Sequence, residues 1–579
     1  MGETQPTSPA AHNRLERRDA CLVAVEKCIA RDPALRRLYL EAALAEIPRL
    51  LGAIDRNPFH ATYGCLDRQF WHYRTSDFPS EMYQEGVLPL ALVYAHELPG
   101  NRWHRVPRVR ELCLAALRFS ARSSHADGSC DDYYPFERAL GAAVFSLVAA
   151  TETCLLLEVD DREIREALVR RGRWLSEHDE TGRLANHQAL AALGLWQLAE
   201  WTGNSEFRQG AAERLARVLE WQHDEGWFDE YGGADPGYQT VTIDCLAKYR
   251  RHSGDAIVDE PLKRAVNFAR LFLHPDSSYS GEYGSRGTYH FYPHGFELLT
   301  PESVEAAELA DGFLDSLQHG RQAYFADDRM YAHRLGNLIH AYRDWSPTRP
   351  ASSNAQRDSD RPVDRWLPGA GIYVRNDCQA TTIISAARGG VLKRIGIAQD
   401  SADSRACTTD AGLVVEFSDE RIAVSQLHDR GRSIACTPGK SLTVEGPLHW
   451  SRHETATPLK FIVFRVLLLS AGRWFRSAAR WLLQKRLITG RQACPVRLCR
   501  TIEFETSPEG QSRTKVTDHI QLLDPRLQVR RMSFGVDHQS TYVAATGVYQ
   551  ESVLQDWTSL DEHVSQLNAT RSVTITREL

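Results

Sequence analysis

The sequence predicts a multidomain α+β chain, an N-terminal (α/α)6 toroid followed by a C-terminal antiparallel β-sandwich. Three observations carry this. Apolar residues recur at three- and four-residue spacing through residues 13–345, the mark of amphipathic helices. Residues 346–364 form a polar linker, rich in serine and proline, with no periodicity. From 365 to 579 the pattern turns to short β-branched runs between turn residues, the signature of antiparallel strands. A chain of 579 residues also exceeds what one hydrophobic core usually supports.

Helical spacing marks Cys21–Ala30, Leu38–Leu51, Val87–Leu98, Val109–Ser120, Ala139–Leu157 and Ile164–Ser176. It continues in Gln188–Trp201, Phe207–Trp221, Thr240–Tyr249, Leu262–Leu273, Val304–Leu317 and Met330–Trp345. These pair as six hairpins with no strand signal between them. Closed on themselves, they make a ring whose inner helices leave a cleft at one end. The strand runs are Gly371–Arg375, Thr381–Ser385, Gly412–Phe417, Ile422–Gln426, Thr443–Pro447, Leu498–Glu505, Thr514–Leu522 and Val573–Thr576. One stretch interrupts them, a basic amphipathic helix predicted over 464–491. From Lys460 to Arg500 there are ten Lys/Arg and no Asp or Glu.

Composition excludes some functions. Hydrophobic residues at 42% and charged residues at 25% are an ordinary globular balance, and a net charge of -6 gives no reason to expect nucleic acid. No run of about 18 apolar residues predicts a spanning helix. Residues 1–18 are polar and lack a signal-peptide core, so a cytoplasmic location is expected. Twelve cysteines are scattered singly, among them Cys28, Cys113 and Cys154 in helical stretches. The nearest pair, Cys494 and Cys499, lacks metal-ligand spacing. Reduced, buried thiols are expected, with no metal and no cofactor.

The chemistry concentrates between Leu184 and Tyr238. Asn186 and His187 open an apolar helix, and Tyr238 opens another after the loop Gly232-Gly233-Ala234-Asp235-Pro236-Gly237. Amide, imidazole and phenol at two helix entrances suit proton abstraction next to a carboxylate. Aromatic and acidic residues crowd the loops of this half. Asp67, Trp71, Tyr73, Tyr134, Glu230, Tyr289 and His294 are the candidate substrate-binding residues, since aromatic faces between hydrogen-bonding groups match sugar rings. The plainer readings are that Asn186 caps its helix, that His187 is packed, that Tyr238 is a turn aromatic and that Trp71 plugs a helix end.

Toroid, sandwich, the Asn186-His187 pair and Tyr238 together resemble the heparinase II/III-like polysaccharide lyases. The resemblance implies that Tyr238 transfers the proton and that Asn186 and His187 neutralise a uronate carboxylate, with a further histidine completing the site. It implies an acidic polysaccharide or oligosaccharide as partner. This chain departs from the family pattern at Thr409-Asp410-Ala411-Gly412-Leu413-Val414, where histidines are expected and none stands. His290 and His294 are the substitutes within the toroid.

β-Elimination from a uronate requires donors aimed where carboxylate charge grows. Asn186, His187 and the bidentate fork of Arg286 supply them. Tyr238, with an ordinary pKa near 10, needs a neighbouring cation such as Arg286 or a protonated His290 to act as base. Three alternatives remain: a glycoside hydrolase using two of Asp67, Asp132, Glu230 and Asp235, a uronyl C5-epimerase, and a non-catalytic polysaccharide-binding protein of exopolysaccharide synthesis. The 464–491 helix has two readings. It packs on the toroid, or it lies peripherally on an anionic membrane through Trp474, Phe475, Trp481 and Leu482, with Arg473, Arg476 and Arg480 around them.

Overall fold

A computed structural model describes residues 28–325, 330–350, 362–377, 379–396, 407–451, 457–471, 491–506, 512–536, 548–549 and 554–579. Twelve helices build the toroid: α1 Arg37–Ala53, α2 Val87–Ala95, α3 Pro107–Ser123, α4 Leu140–Leu156, α5 Arg162–Glu177, α6 Ala185–Thr202, α7 Glu206–Glu220, α8 Pro236–Ser253, α9 Asp259–Arg270, α10 Pro293–Leu299, α11 Val304–Gln318 and α12 Tyr331–Asp344. The even-numbered helices pack in sequence and α12 returns to α2, so the inner ring closes. α4 and α6 are apolar on nearly every side, and α4, α6 and α8 are almost wholly buried. The outer helices α5 and α9 keep one apolar stripe against them, as a two-layer ring requires.

Two sequence expectations fail here. Cys28–Ala30, assigned to a helix, is a strand paired antiparallel with Thr348–Pro350. The rest of that assigned helix, 21–27, and the stretch 351–361 of the assigned linker lie outside the described residues. Thr348–Pro350 itself was assigned to the linker; its pairing instead ties the end of the toroid back to its start. The second failure is α10, missed because it has only seven residues and sits inside an aromatic loop.

Outer helices pass to inner ones through a recurring turn headed by histidine: His125, His178, His223 and His274. In three of them the histidine N–H donates to a carbonyl four residues on, at 2.8–3.0 Å, and its own carbonyl accepts from the residue three on. That residue is left-handed each time: Gly128, Gly226 and Ser277, with φ of 91°, 99° and 66°. The His178 turn is one residue longer and uses Gly182, φ 94°. Seven or eight residues after each histidine comes a carboxyl or carboxamide: Asp132, Asn186, Glu230 and Glu282.

The strand-rich part is antiparallel. Five strands, β1 Val363–Leu367, β2 Ile372–Asn376, β3 Ala380–Ser385, β4 Val391–Gly396 and β5 Cys407–Asp410, pair in sequence order. A nine-stranded sheet holds β6 Leu413–Phe417, β7 Ile422–Val424, β8 Ser433–Thr437, β9 Ser441–Ser451, β10 Ala493–Thr506, β11 Ser512–Leu522, β12 Val529–Phe534, β13 Thr558–Ser559 and β14 Ser572–Glu578. Alternation along the first sheet decides what each face touches. Ile372, Val374 and Ile383 join the core of the toroid, while Tyr373, Ile384 and Leu392 pack on Leu442, Val444 and Ile502 of the second sheet. The sandwich is pinned inside by Arg500, fully buried, which bonds both oxygens of Asp518 at 2.6 and 3.1 Å and lies 3.0 Å from Asp410.

The toroid grips the five-stranded sheet through its turns. Glu225 accepts the backbone N–H of Gly369 and Ala370 at 2.8 and 2.9 Å. Lys393 stands 3.4 Å from Glu282, and Arg388 donates to the carbonyl of Gly284 at 2.8 Å. The inserted helix, α13, spans Pro458–Ala471, six residues earlier than expected. Trp474, Phe475, Arg473, Arg476, Arg480, Trp481 and Leu482 lie outside the described residues. No helix among the described residues is long and apolar enough to cross a membrane.

Candidate active site

The inner helices present their N-terminal ends to one cleft, so positive helix-dipole ends converge there. Asn186 is not the cap of α6; that position is Leu184, whose side chain caps nothing. Glu230 takes the duty. Its carboxyl accepts the backbone N–H of Asn186 at 2.9 Å and the Asn186 amide at 2.8 and 2.9 Å, one bond to each oxygen. Both residues are buried, Glu230 at 1% exposure. Burial pushes the Glu230 carboxyl up to about 8, against the opposing bonds from Asn186, so near neutral pH it is largely a protonated acid. The Asn186 amide, expected to face substrate, faces Glu230, and its Oδ1 is buried without a partner.

Tyr238 enters the same place because Asp235 caps α8, accepting the Tyr238 N–H at 3.0 Å, with Pro236 fixing the first turn. Burial raises the Tyr238 phenol above its ordinary value; Arg286 opposes the rise, while Tyr133 and Glu230 add to it. Arg286 is held by its backbone N–H on Asp235 at 2.9 Å and lies over the Tyr231 ring at 4.3 Å. His290 packs on Tyr238, ring centres 5.2 Å apart.

The rings continue around the cleft. His290 meets Tyr292 at 5.9 Å, Tyr292 meets His333 at 5.1 Å, and Phe145 stands 5.1 Å from His333 and 6.0 Å from His187. His187 gives Nδ1 to Glu180 at 2.7 Å, and its ring lies against Gly141, where a Cβ would come within 2.9 Å. A second pair, His333 and Glu85 at 3.1 Å, was not read from the sequence. Its partners are 248 residues apart, and neither stands in a motif.

Other candidates go elsewhere. The segment 288–292 is extended, so His290 and Tyr292 face the cleft while Tyr289 turns to Glu282 and to Lys393, 5.1 Å from its ring. His294 is buried between α8, α10 and α12, 2.8 Å from Asp344 and stacked on His340 at 5.0 Å. Asp67 caps the turn Arg68–Trp71 and also accepts the Ser80 N–H at 3.0 Å, so its oxygens serve backbone. Trp71 donates its indole N–H to the carbonyl of Ala53 at 2.8 Å, closing the end of α1. Tyr73 is 58% exposed beside Arg68, and Tyr134 packs on Phe464 of α13.

Thr409–Val414 supplies no histidine, and Asp410 there pairs with Arg500 and Arg577. A sheet-side histidine arrives by another route. His428, on the loop after β7, lies so close to Gly233 that a Cβ would come within 2.7 Å of its Nε2. The carbonyl of Gly233 in turn accepts the Glu230 N–H at 2.9 Å. Burial, then Arg491 and Arg388, push the His428 pKa down to about 3, so it is neutral.

His294, His340 and Asp344 bring ligand atoms within 4.8 Å of one another. Their surroundings are already charge-balanced: Lys248 is 2.7 Å from Asp244, Arg251 is 2.6 Å from Asp344, and His340 is 2.6 Å from Glu152. An ionic network between helices accounts for the cluster.

No protein-family model matches the chain, and no curated protein is similar to it in sequence. Among solved structures, the chondroitin AC lyase of Streptomyces coelicolor in complex with chondroitin sulphate is 12% identical with a TM-score of 0.51, over 91% of this chain and 71% of that one. That likeness bears out the toroid-and-sheet fold. An unsaturated glucuronyl hydrolase of Streptococcus agalactiae is 11% identical over 56% of this chain and 95% of its own, TM-score 0.38. A cellobiose 2-epimerase of Spirochaeta thermophila is 13% identical over 54% and 97%, TM-score 0.38.

Proposed function

We propose that this cleft abstracts a proton next to a carboxylate and that the reaction is β-elimination from a uronate-containing polysaccharide or oligosaccharide, making the chain a carbon–oxygen lyase. The observation that carries the reading is the convergence of Tyr238, Arg286 and Glu230, a phenol, a guanidinium and a buried acid within electrostatic reach of one another. Arg286 takes the uronate carboxylate, and protonated Glu230, held by Asn186, donates to the oxygen on which charge grows. A neutral carboxylic acid in an apolar setting is suited to that task. His290, against the Tyr238 ring, accepts the proton from C5. The C4–O bond breaks, the C4–C5 double bond forms, and Tyr238, a neutral phenol, protonates the leaving oxygen. The Asn186-His187 and Tyr238 pattern, similar to that of heparinase II/III-like lyases, supports proton transfer by Tyr238.

Paired-carboxylate hydrolysis has less support. Asp235 receives the N–H groups of Tyr238 and Arg286 and the hydroxyl of Thr288, and Asp67 is engaged likewise, so neither stands ready as nucleophile or base beside Glu230. The test is a panel of uronate polymers and oligosaccharides followed by ultraviolet absorbance of the 4,5-unsaturated product. Solvent deuterium entering C5 without absorbance would identify an epimerase. Reducing ends released without absorbance would move the reading to hydrolysis.

A further inference from the structure

Seven of the fourteen large hydrophobic side chains exposed among the described residues stand on the single helix α13: Leu459, Phe461, Ile462, Val463, Val466, Leu467 and Leu469. Its inner face is set by contacts with the toroid. Phe464 meets Tyr134 with ring centres 5.7 Å apart, Arg465 pairs with Asp77 at 2.8 Å and covers Phe78, and Leu468 is buried. The outer face then falls on Leu459, Ile462, Val463, Val466 and Leu467, spaced i, i+3, i+4, i+7 and i+8, each more than half exposed. A surface helix in water carries polar groups there; this face carries only Ser470, whose hydroxyl turns back to the carbonyl of Val466 at 2.6 Å. Contiguous apolar patches of this kind mark an interaction site.

We propose that this outer face docks on the interfacial region of an anionic lipid bilayer. Charge selects that occupant. Directly after α13, residues 472–490 hold five Lys/Arg and no Asp or Glu, together with Trp474 and Trp481. Basic residues are drawn to anionic headgroups and tryptophan to headgroup depth. A second copy of the chain would instead set these basic segments against each other across a twofold axis. The docked orientation follows from the inner face. Tyr134 packs on Phe464, so the loop that carries it lies on the side of α13 away from the lipid.

The test is co-sedimentation of the full chain at low salt with vesicles of pure phosphatidylcholine and with vesicles containing added phosphatidylglycerol. The wild type pellets with the anionic vesicles, and salt reverses it. Ile462→Asp with Val466→Asp lowers the bound fraction about tenfold or more, and Leu467→Asp alone lowers it measurably. Ile257→Asp, at an exposed apolar residue of the toroid, leaves binding unchanged. These sites face solvent, so thermal unfolding stays at the wild-type temperature. Wild type remaining in the supernatant overturns the proposal, as does equal binding by the double variant. Self-association without lipid that the double variant abolishes, with no vesicle binding, assigns the face to a second copy and also overturns it.

Discussion

Asn186 and Glu230 form a closed buried pair: the amide of one spans both oxygens of the other at 2.8 and 2.9 Å. The pair has a pH signature. The Glu230 carboxyl moves from an ordinary 4.5 to about 8 on folding, so the chain takes up a proton as it folds. Stability is full below the lower value and is lost progressively as pH rises through that window. We expect Glu230→Gln to flatten this loss by an amount on the order of a few kcal/mol. Denaturant unfolding of both proteins at acid and alkaline ends of the window measures it; parallel curves would count against a buried, protonated Glu230.

Tyr238→Phe removes one hydroxyl and little volume. Turnover of a uronate substrate should fall about a thousandfold or more, since general acid–base groups contribute on that scale, with substrate affinity changed little. Calorimetric binding beside the ultraviolet assay separates the two. Near-normal turnover would take protonation of the leaving oxygen away from Tyr238.

The turn glycines differ in what they tolerate. A Cβ at Gly226 would meet the carbonyl of Arg264 at 2.3 Å, and one at Gly128 the backbone of Arg170 at 2.4 Å, whereas Gly232 faces open space. All three have positive φ. Gly232→Ala should cost about 1 kcal/mol for conformation alone, and Gly226→Ala several times as much. Equal costs in thermal unfolding would mean the turn yields freely.

Inside the sandwich, Arg500→Met leaves Asp518 and Asp410 with Arg577 alone, 3.3 Å from Asp518. Breaking one side of a buried pair costs roughly 3–5 kcal/mol, so the variant should unfold at markedly lower denaturant. A simultaneous Asp518→Leu should recover part of the loss, and failure to recover any would assign the cost to packing.

Much of the architecture was legible because helical periodicity survives wherever one face is buried, as in α3 and α5. It failed at α10, too short to show a period, and at Cys28–Ala30, whose pairing partner Thr348–Pro350 lies more than 300 residues away. Asn186 and Tyr238 were readable from their places at helix entrances, and Arg286 from its aromatic loop. Glu85, His333 and His428 were not, since only ring closure and sheet docking bring them to the cleft. His294 and Tyr289 were misplaced for lack of phase: neighbours on an extended strand point opposite ways, and α10 was not recognised as a helix.

The four histidine turns amount to one device used repeatedly around a ring, and their equivalent positions have parted company. Glu230 remains in the cleft with Asn186, itself the matching residue of the preceding turn, while Glu282, one turn later, grips Lys393 of the neighbouring sheet. The same acid thus sits in the cleft in one copy and moors the sheet in the next. A ring of this kind can gain an attachment at one turn while keeping the cleft residue of another, because each turn brings its own carboxyl or carboxamide to the rim. Exchanging the residues at 230 and 282 with their surrounding turns would reveal whether position on the ring, rather than local sequence, decides which acid reacts.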